Sequence, residues 1–275
     1  SIRGVSMAGM QPPNYQNAMT TAPPNAALSA FVGGPDIFGS LPEILVTQEF
    51  AMIELCGIEA KNRYRVAAPH SPNYTFLFAQ EEGEACERIC CSPCRRLTMN
   101  LHAGSDKLGQ VMLTMEKTWA CPMIPCPLLL HPGAWWLFCP WMAIAYKDGG
   151  PQFTVKRNGQ VLGSVWDPPM PIFYCKANSI IRDAQGRALF ECGPNSLCDA
   201  GMCCPCCADE VVPVVSITDR KQVATITRAM LTCTELCTKT NRFTVNFGSV
   251  TDPDQRALIF AAAMLFDLQY WEQKD

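Results

Sequence analysis

Ten consecutive apolar residues near the C-terminus, Ala257–Phe266, restrict the fold of this chain more than any other feature of its sequence. The residues before them predict a helix start, because Thr251 or Asp252 can cap a helix and Pro253 fits its first turn. Asp254 suits the positive end of the helix dipole. A helix that is apolar on every side must be surrounded by apolar groups, either of the protein itself or of a lipid bilayer.

The length of the run favours the protein interior. About 20 apolar residues are needed to cross a bilayer, and this run is about half that length before Asp267 interrupts it. We therefore predict a buried C-terminal helix over about residues 252–271, with Asp267 inside the protein.

The sequence before this helix predicts short β-strands. Ile44–Phe50, Tyr64–Val66 and Tyr74–Phe78 are rich in β-branched and aromatic residues, and no long amphipathic helical pattern separates such stretches. Closely spaced strands of this kind favour an all-β sandwich or barrel.

A weak internal repeat favours the barrel. Gly109–Thr114 is repeated as Gly159–Ser164 and, less closely, in Lys221–Ile226. Each copy follows a polar turn, and Asn158 with Gly159 suits the positive φ angles of a tight hairpin. A series of hairpins gives an antiparallel meander, and closing it into a barrel hides its unpaired edges. The bore of that barrel is the natural place for the apolar helix.

Composition and charge limit the class of protein. The chain has 275 residues, 48% of them hydrophobic, which is enough for one domain with a full core. Its net charge of −3 provides no basic surface, so we expect no nucleic-acid partner. Only 17% of the residues are charged, which favours a membrane or a partner over part of the surface.

The N-terminal segment differs from the rest of the chain. Residues 1–36 are rich in Pro, Gly and Ala without apolar periodicity, so we predict a disordered tail followed by a barrel domain over residues 37–275. Residues 1–40 contain no continuous apolar run of the kind found in secretory signals. We therefore expect an intracellular protein whose 17 cysteines are mostly reduced.

One short motif lies in this tail. Pro12, Pro13 and Tyr15 fit the Pro-Pro-x-Tyr ligand of WW domains, which bind preformed polyproline II segments. A WW-domain protein is therefore a predicted partner, although four-residue motifs also arise by chance in Pro-rich tails.

Several segments resemble segments of the phospholipid scramblase family and follow one another in the same order along the chain. This family belongs to the tubby-like barrel superfamily. A strand, Phe243–Phe247, precedes the apolar helix as it does at the family's C-terminus. The resemblance extends from about residue 37 to the end of the chain. Its other segments are Gly57–Tyr64, Phe78–Glu82, Arg88–Cys91, Cys203–Asp209 and Tyr270–Glu272.

This resemblance implies a barrel of about twelve antiparallel strands around the C-terminal helix, in agreement with the pattern of the residues. It also implies calcium-stimulated, ATP-independent movement of phospholipids between leaflets, which is transport at a membrane and not enzymatic chemistry. A second interpretation stays open. The chain is then a structural or scaffold subunit of a membrane protein assembly that keeps the fold without transporting lipid.

The family's calcium motif is an acidic segment that leads into the strand before the helix, and this sequence departs from it. Calcium binds several carboxylate or carbonyl oxygens, whereas the aligned acidic positions here carry lysine, asparagine and valine. We therefore predict that calcium activation is lost and that the chain uses no cofactor. The acidic positions correspond to Lys239, Asn241 and Val250, and the alternating apolar positions are kept as Phe243, Val245 and Phe247.

Clustered cysteines leave three interpretations open. The resemblance implies acylation, and two adjacent acyl chains hold a protein on a membrane far better than one does. A zinc site is the second, since Cys91 and Cys94 have the spacing of a zinc-ligand pair. The second pair that such a site needs would come from the cysteines of residues 203–207, which are more than 100 residues away. Small buried side chains or loop thiols are the third. The acylation candidates are Cys203, Cys204, Cys206 and Cys207.

A stretch without Asp, Glu, Lys or Arg, Pro127–Tyr146, contains three tryptophans. Tryptophan favours the headgroup region of a membrane, whereas Pro132 and Pro140 would disturb a spanning helix. One interpretation is an apolar loop that docks on a membrane or a partner subunit, and the other is a strand and loop folded into the barrel. The residues of the docking loop would be Trp135, Trp136, Phe138 and Trp141.

Overall fold

Twelve antiparallel strands form one closed ring in the computed structural model of this chain, which confirms the predicted barrel. The structure describes residues 37–49, 61–83, 95–118, 150–168, 178–193, 208–232 and 241–271. Each strand pairs with its neighbours in the chain, and β1 pairs with β12 to close the ring. The strands are β1 (Glu43–Gln48), β2 (Arg63–Ala68), β3 (Ser71–Glu82), β4 (Leu97–Ala103), β5 (Val111–Lys117), β6 (Gln152–Arg157), β7 (Gln160–Trp166), β8 (Ser179–Asp183), β9 (Ala188–Cys192), β10 (Glu210–Ser216), β11 (Gln222–Arg228) and β12 (Arg242–Asn246).

Strand alternation gives the ring an apolar interior. In β12, Phe243 and Val245 are fully buried, whereas Arg242 and Thr244 are half-buried on the other face. The same two-residue period occurs in β5, β10 and β11. The inward series of side chains therefore forms a continuous apolar wall.

The C-terminal helix lies inside this wall, as the sequence predicted. The helices of the described residues are α1 (Ile37–Ser40) and α2 (Pro253–Phe266), and a π-helical turn, Asp267–Trp271, continues α2. Every residue from Arg256 to Leu268 is buried, so the all-round apolar run meets apolar side chains on every side. No helix of the described residues is long and apolar enough to cross a membrane.

Local chemistry fixes where α2 begins and how closely it approaches the wall. The Asp252 side chain accepts a hydrogen bond from the Asp254 backbone N–H at 3.0 Å, so Asp252 is the cap. A Cβ at Gly163 in β7 would lie only 3.0 Å from Leu258 Cδ1 and 2.1 Å from Arg182 O. Glycine at this position therefore allows the helix to pack against β7.

One end of the barrel, which we call the turn rim, has only short connections. Asn158 and Gly159 form the β6–β7 turn with φ angles of 51° and 80°, as the sequence predicted. The N-terminus of α2 lies at this rim, since Arg157 pairs with Asp254. The connections of the turn rim are residues 69–70, 104–110, 158–159, 184–187 and 217–221.

A buried arginine closes the bore at the turn rim. Arg256 Nη1 donates to the carbonyl oxygens of Phe38, Gly39 and Leu41 at 2.7, 3.1 and 2.9 Å. Its Nε donates to Val250 O at 2.6 Å. One side chain thus fastens α1 over the start of α2.

The opposite end, which we call the connection rim, has only long connections. Every strand pair that is not joined at the turn rim is joined here, so all of these segments leave the barrel on one side. The predicted tail, residues 1–36, lies outside the described residues, and the boundary at residue 37 stays a prediction. The connections of this rim are residues 49–62, 83–96, 118–151, 167–178, 193–209 and 229–241.

Candidate functional site

Buried polar side chains collect at the connection rim, around the π-helical turn. On several strands the inward apolar series ends in a charged residue, as Leu113 and Met115 of β5 are followed by Lys117, which is 4% exposed. Buried charges require partners because they have lost their hydration. We call this set the polar layer, and it comprises Tyr64, Glu81, Arg95, Lys117, Asp167, Glu210, Arg228, Asn241 and Asp267.

Asp267 is a carboxylate of the polar layer and is completely buried. Its Oδ2 accepts a hydrogen bond from the Tyr64 hydroxyl at 2.7 Å, and its Oδ1 accepts one from Asn241 Nδ2 at 2.9 Å. Asn241 Nδ2 also donates to Trp271 O at 3.1 Å. These contacts join the helix end to β2 and to the start of β12, on neighbouring sides of β1.

Trp271 is held on another side of the ring. Its Nε1 donates to Glu210 Oε2 at 2.8 Å, and Arg228 Nη2 lies 3.2 Å from the same oxygen. The Arg228 guanidinium is 5.3 Å from the centroid of the indole ring. Burial lowers the pKa of Arg228, and the charges of Glu210 and Asp267 oppose that effect. The tryptophan therefore contacts both members of an ion pair that joins β10 to β11.

Tyr270 reaches a third part of the wall. Its hydroxyl donates to Asp167 Oδ2 at 2.8 Å, just beyond the end of β7. Burial raises the pKa of Asp167 to about 7, and the Tyr270 hydrogen bond opposes that effect only in part. Burial also raises the pKa of the Cys192 thiol to about 12, with a further contribution from the charge of Asp167. This acid therefore titrates near neutral pH, whereas the thiol stays protonated.

A separate ion pair completes the layer near β3 and β4. Arg95 donates to both Glu81 oxygens, from Nε at 2.9 Å and from Nη2 at 3.0 Å. Both side chains are at most 3% exposed. Lys117 Nζ donates to Arg95 O at 2.9 Å. The arginine is thus fixed through its side chain and its backbone.

Comparison with known proteins gives this architecture an identity. The family model described as Scramblase matches residues 33–165 and 182–273. The chain belongs to the scramblase family. No solved structure matches it.

Curated relatives of this scramblase-family chain carry the same name. It is 25% identical over 241 residues to phospholipid scramblase 2 of Bos taurus, covering 87% of this chain and 71% of the relative. It is 25% identical over 241 residues to human phospholipid scramblase 1, covering 87% of this chain and 66% of the relative. Human phospholipid scramblase 2 is 22% identical over 242 residues, at 87% and 71% coverage.

The calcium-motif positions that the structure describes point into the barrel. Phe243, Val245 and Phe247 are fully buried, and Asn241 and Val250 are 3% and 6% exposed. The Asn241 amide binds the helix end, and the Val250 carbonyl binds Arg256. Among the described residues, no group of three or more His, Cys, Asp or Glu could hold a metal ion. Loss of calcium activation stays a prediction.

The other predicted positions lie outside the described residues. They are Lys239, the acylation candidates Cys203, Cys204, Cys206 and Cys207, the zinc candidates Cys91 and Cys94, the docking-loop residues Trp135, Trp136, Phe138 and Trp141, and the WW motif Pro12, Pro13 and Tyr15. All except the WW motif belong to connections of the connection rim. The two connections that carry the zinc and acylation candidates join β3 to β4 and β9 to β10, and four strands separate these two strand pairs in either direction around the ring.

Sequence reasoning missed most of the polar layer. Strand parity could have found part of it, since Glu81, Glu210 and Arg228 continue inward apolar series at strand ends. Asp167 gave no such signal, because it lies beyond the end of β7.

Proposed function

We propose that this chain is a phospholipid scramblase-like protein, which moves lipid between leaflets by a non-catalytic route outside the bore and without calcium activation. The observation that carries the proposal is the scramblase family match, which covers most of the barrel and its helix. Relatives named phospholipid scramblase support it over 87% of the chain. The chain spans only 66% of human phospholipid scramblase 1.

The filled bore argues for a path outside the barrel. From Ala257 to Phe266, no side chain of α2 is more than 1% exposed, so no channel remains beside the helix. Arg256 fastens α1 over one end, and the polar layer fills the other with paired charges. A lipid headgroup that crosses a bilayer with the help of this protein must therefore be handled at its outer surface.

The connection rim is the end that we propose to face the membrane. The tryptophan-rich stretch and the acylation candidates are both in connections that leave from this rim. Val211 and Met230, at the neighbouring ends of β10 and β11, are large apolar residues that are 49% and 47% exposed. Tryptophans and acyl chains on one end favour attachment of that end to lipid, whereas exposed apolar side chains occur at both rims, with Leu108, Val111 and Val161 at the turn rim.

The environment of two calcium-motif positions supports calcium-independent behaviour. Asn241 donates both of its described side-chain hydrogen bonds to oxygens of the helix end, so this amide acts as a donor. Val250 is buried next to Arg256, whose positive charge disfavours a cation. Calcium needs several converging oxygen ligands, which these two side chains do not supply.

Reconstitution in liposomes tests this function. Fluorescent phospholipid is placed in both leaflets, and dithionite bleaches only the outer one. We expect bleaching beyond the outer-leaflet fraction, at the same rate with calcium and with chelator. Protein that binds vesicles but leaves the inner leaflet protected would contradict lipid movement and support the structural-subunit alternative. That alternative is favoured by the sealed bore and by the replacement of acids at Lys239, Asn241 and Val250.

A further inference from the structure

A cavity of about 370 Å³ opens on the outer wall of the barrel at the connection rim, next to the polar layer, with which it shares Lys117. It lies where β3, β4, β5 and β6 end, and its volume is in the range of small-molecule sites. Leu97 and the buried Lys117 contribute to its lining. Its other polar lining residues are Glu82, Arg96, Thr98, Glu116, Thr118 and Thr154.

Strand register arranges these side chains in two rows. Glu82 pairs with Thr98, Thr98 pairs with Glu116, and Glu116 pairs with Thr154. Paired residues of antiparallel strands project to the same side, with Cβ atoms about 5 Å apart. Arg96 comes two residues before Thr98 and therefore lies on the same face, one row closer to the rim.

Charge changes sign between the two rows. The row at the rim carries Arg96, and the next row carries the carboxylates of Glu82 and Glu116 with the Thr98 hydroxyl between them. Lys156 Nζ donates to Glu116 Oε2 at 2.7 Å and fixes the position of that carboxylate. With Lys117, the lining contains two bases and two acids. A cavity of this kind suits a ligand that is neutral overall but carries both charges.

We propose that this cavity binds the zwitterionic headgroup of a membrane phospholipid, a phosphodiester followed by an ammonium group. In such a lipid the phosphate is attached to the glycerol, and the ammonium lies farther from the acyl chains. A headgroup that enters from the rim therefore places its phosphate beside Arg96 and its ammonium beside Glu82 and Glu116. The Thr118 hydroxyl, which follows β5 into the rim row, donates to the phosphate. This inference rests on the proposed function for the lipid source and for the membrane-facing rim.

Titration of the full chain with short-chain lipids tests the proposal. Dihexanoylphosphatidylcholine, below its micellar concentration, is compared by calorimetry with dihexanoylphosphatidylglycerol, glycerophosphocholine and inorganic phosphate. We expect saturable binding of phosphatidylcholine, glycerophosphocholine that binds no more tightly than it, and weaker binding of phosphatidylglycerol and phosphate. Arg96→Gln is expected to weaken that binding about tenfold, because a charge-assisted hydrogen bond to phosphate is lost. The matched control is Arg65→Gln, which removes an exposed arginine of β2 outside the cavity and is expected to change nothing.

A second variant tests the ammonium half of the site. Glu82→Gln is expected to weaken phosphatidylcholine binding and leave any residual phosphatidylglycerol binding unchanged, since only the first ligand carries a cation. Far-ultraviolet circular dichroism verifies the fold of each variant.

Several results would overturn the inference. They are unchanged phosphatidylcholine binding in folded Arg96→Gln, phosphatidylglycerol or phosphate binding as tight as phosphatidylcholine, and tighter binding of glycerophosphocholine than of phosphatidylcholine, which would point to a soluble ligand. Wild-type protein that moves lipid in liposomes but binds no headgroup analogue would overturn this inference alone. Headgroup binding without lipid movement would support it and contradict the proposed function.

Discussion

The two rims of the barrel differ in the length of their connections and in the kind of contact that closes them. At the turn rim, connections of a few residues are closed by α1 and by one arginine, whose described hydrogen bonds go to backbone carbonyls. At the connection rim, long segments leave the barrel above a layer of buried acids and bases. Short turns and backbone contacts hold a fold together without presenting variable chemistry. We therefore propose that the turn rim serves stability and that the connection rim carries the function.

The largest effect is expected at the turn rim. Arg256→Met removes the donor for the carbonyls of Phe38, Gly39, Leu41 and Val250, and we expect the free energy of unfolding to fall by about 3 kcal/mol. Urea denaturation measures this loss, and proteolysis should become faster near α1. Arg187→Met, at an arginine that is 76% exposed, is the control with little effect. Equal losses in the two variants would contradict the structural role of the turn rim.

Asp167 should make the connection rim sensitive to pH. Its pKa rises from 3.8 to about 7 on folding, so its contribution to stability is complete below pH 3.8 and is lost as pH rises through 7. Asp167→Asn should therefore gain stability relative to wild type by up to about 3 kcal/mol between pH 5 and pH 8. Thermal or urea unfolding at the two pH values measures this difference. Asp219→Asn, at an exposed acid whose pKa is lowered, should show no such gain. A pH-independent difference between Asp167→Asn and wild type would refute the assignment.

Asn241, at the connection rim, provides a test of the predicted loss of calcium activation. Asn241→Asp would put a second carboxylate beside Asp267 and should cost about 2 kcal/mol of stability at neutral pH, with partial recovery in acid. Asn246→Asp, on the exposed end of the same strand, is the matched control. Millimolar calcium should leave the denaturation midpoint of the wild-type protein unchanged. A calcium-dependent increase in that midpoint would contradict calcium independence, because ligands of the native state stabilise it.

How much of the structure can be predicted from the sequence depends on how far apart along the chain the interacting residues lie. The apolar helix and the alternation of Phe243 and Val245 are local patterns, and they were enough to place a helix inside a barrel. The contacts of Arg256 with α1 join residues more than 200 positions apart, so no local pattern indicates them. Asn241 was interpreted from its lost charge alone, because its hydrogen bond to Asp267 exists only once β12 and the helix end meet. The clustering of the long connections likewise follows from strand order rather than from any one segment.

The orientation of the barrel on a bilayer is the most direct test of this account. A genetically encoded environment-sensitive fluorophore is placed either at Met230 of the connection rim, 47% exposed, or at Leu108 of the turn rim, 86% exposed. Both sites replace an exposed apolar side chain, so they are a matched pair. On phosphatidylcholine vesicles that contain nitroxide-labelled lipid, we predict a blue shift and quenching at position 230 and neither at position 108. Quenching at position 108 alone, or equal quenching at both positions, would contradict the assignment of the connection rim to the membrane.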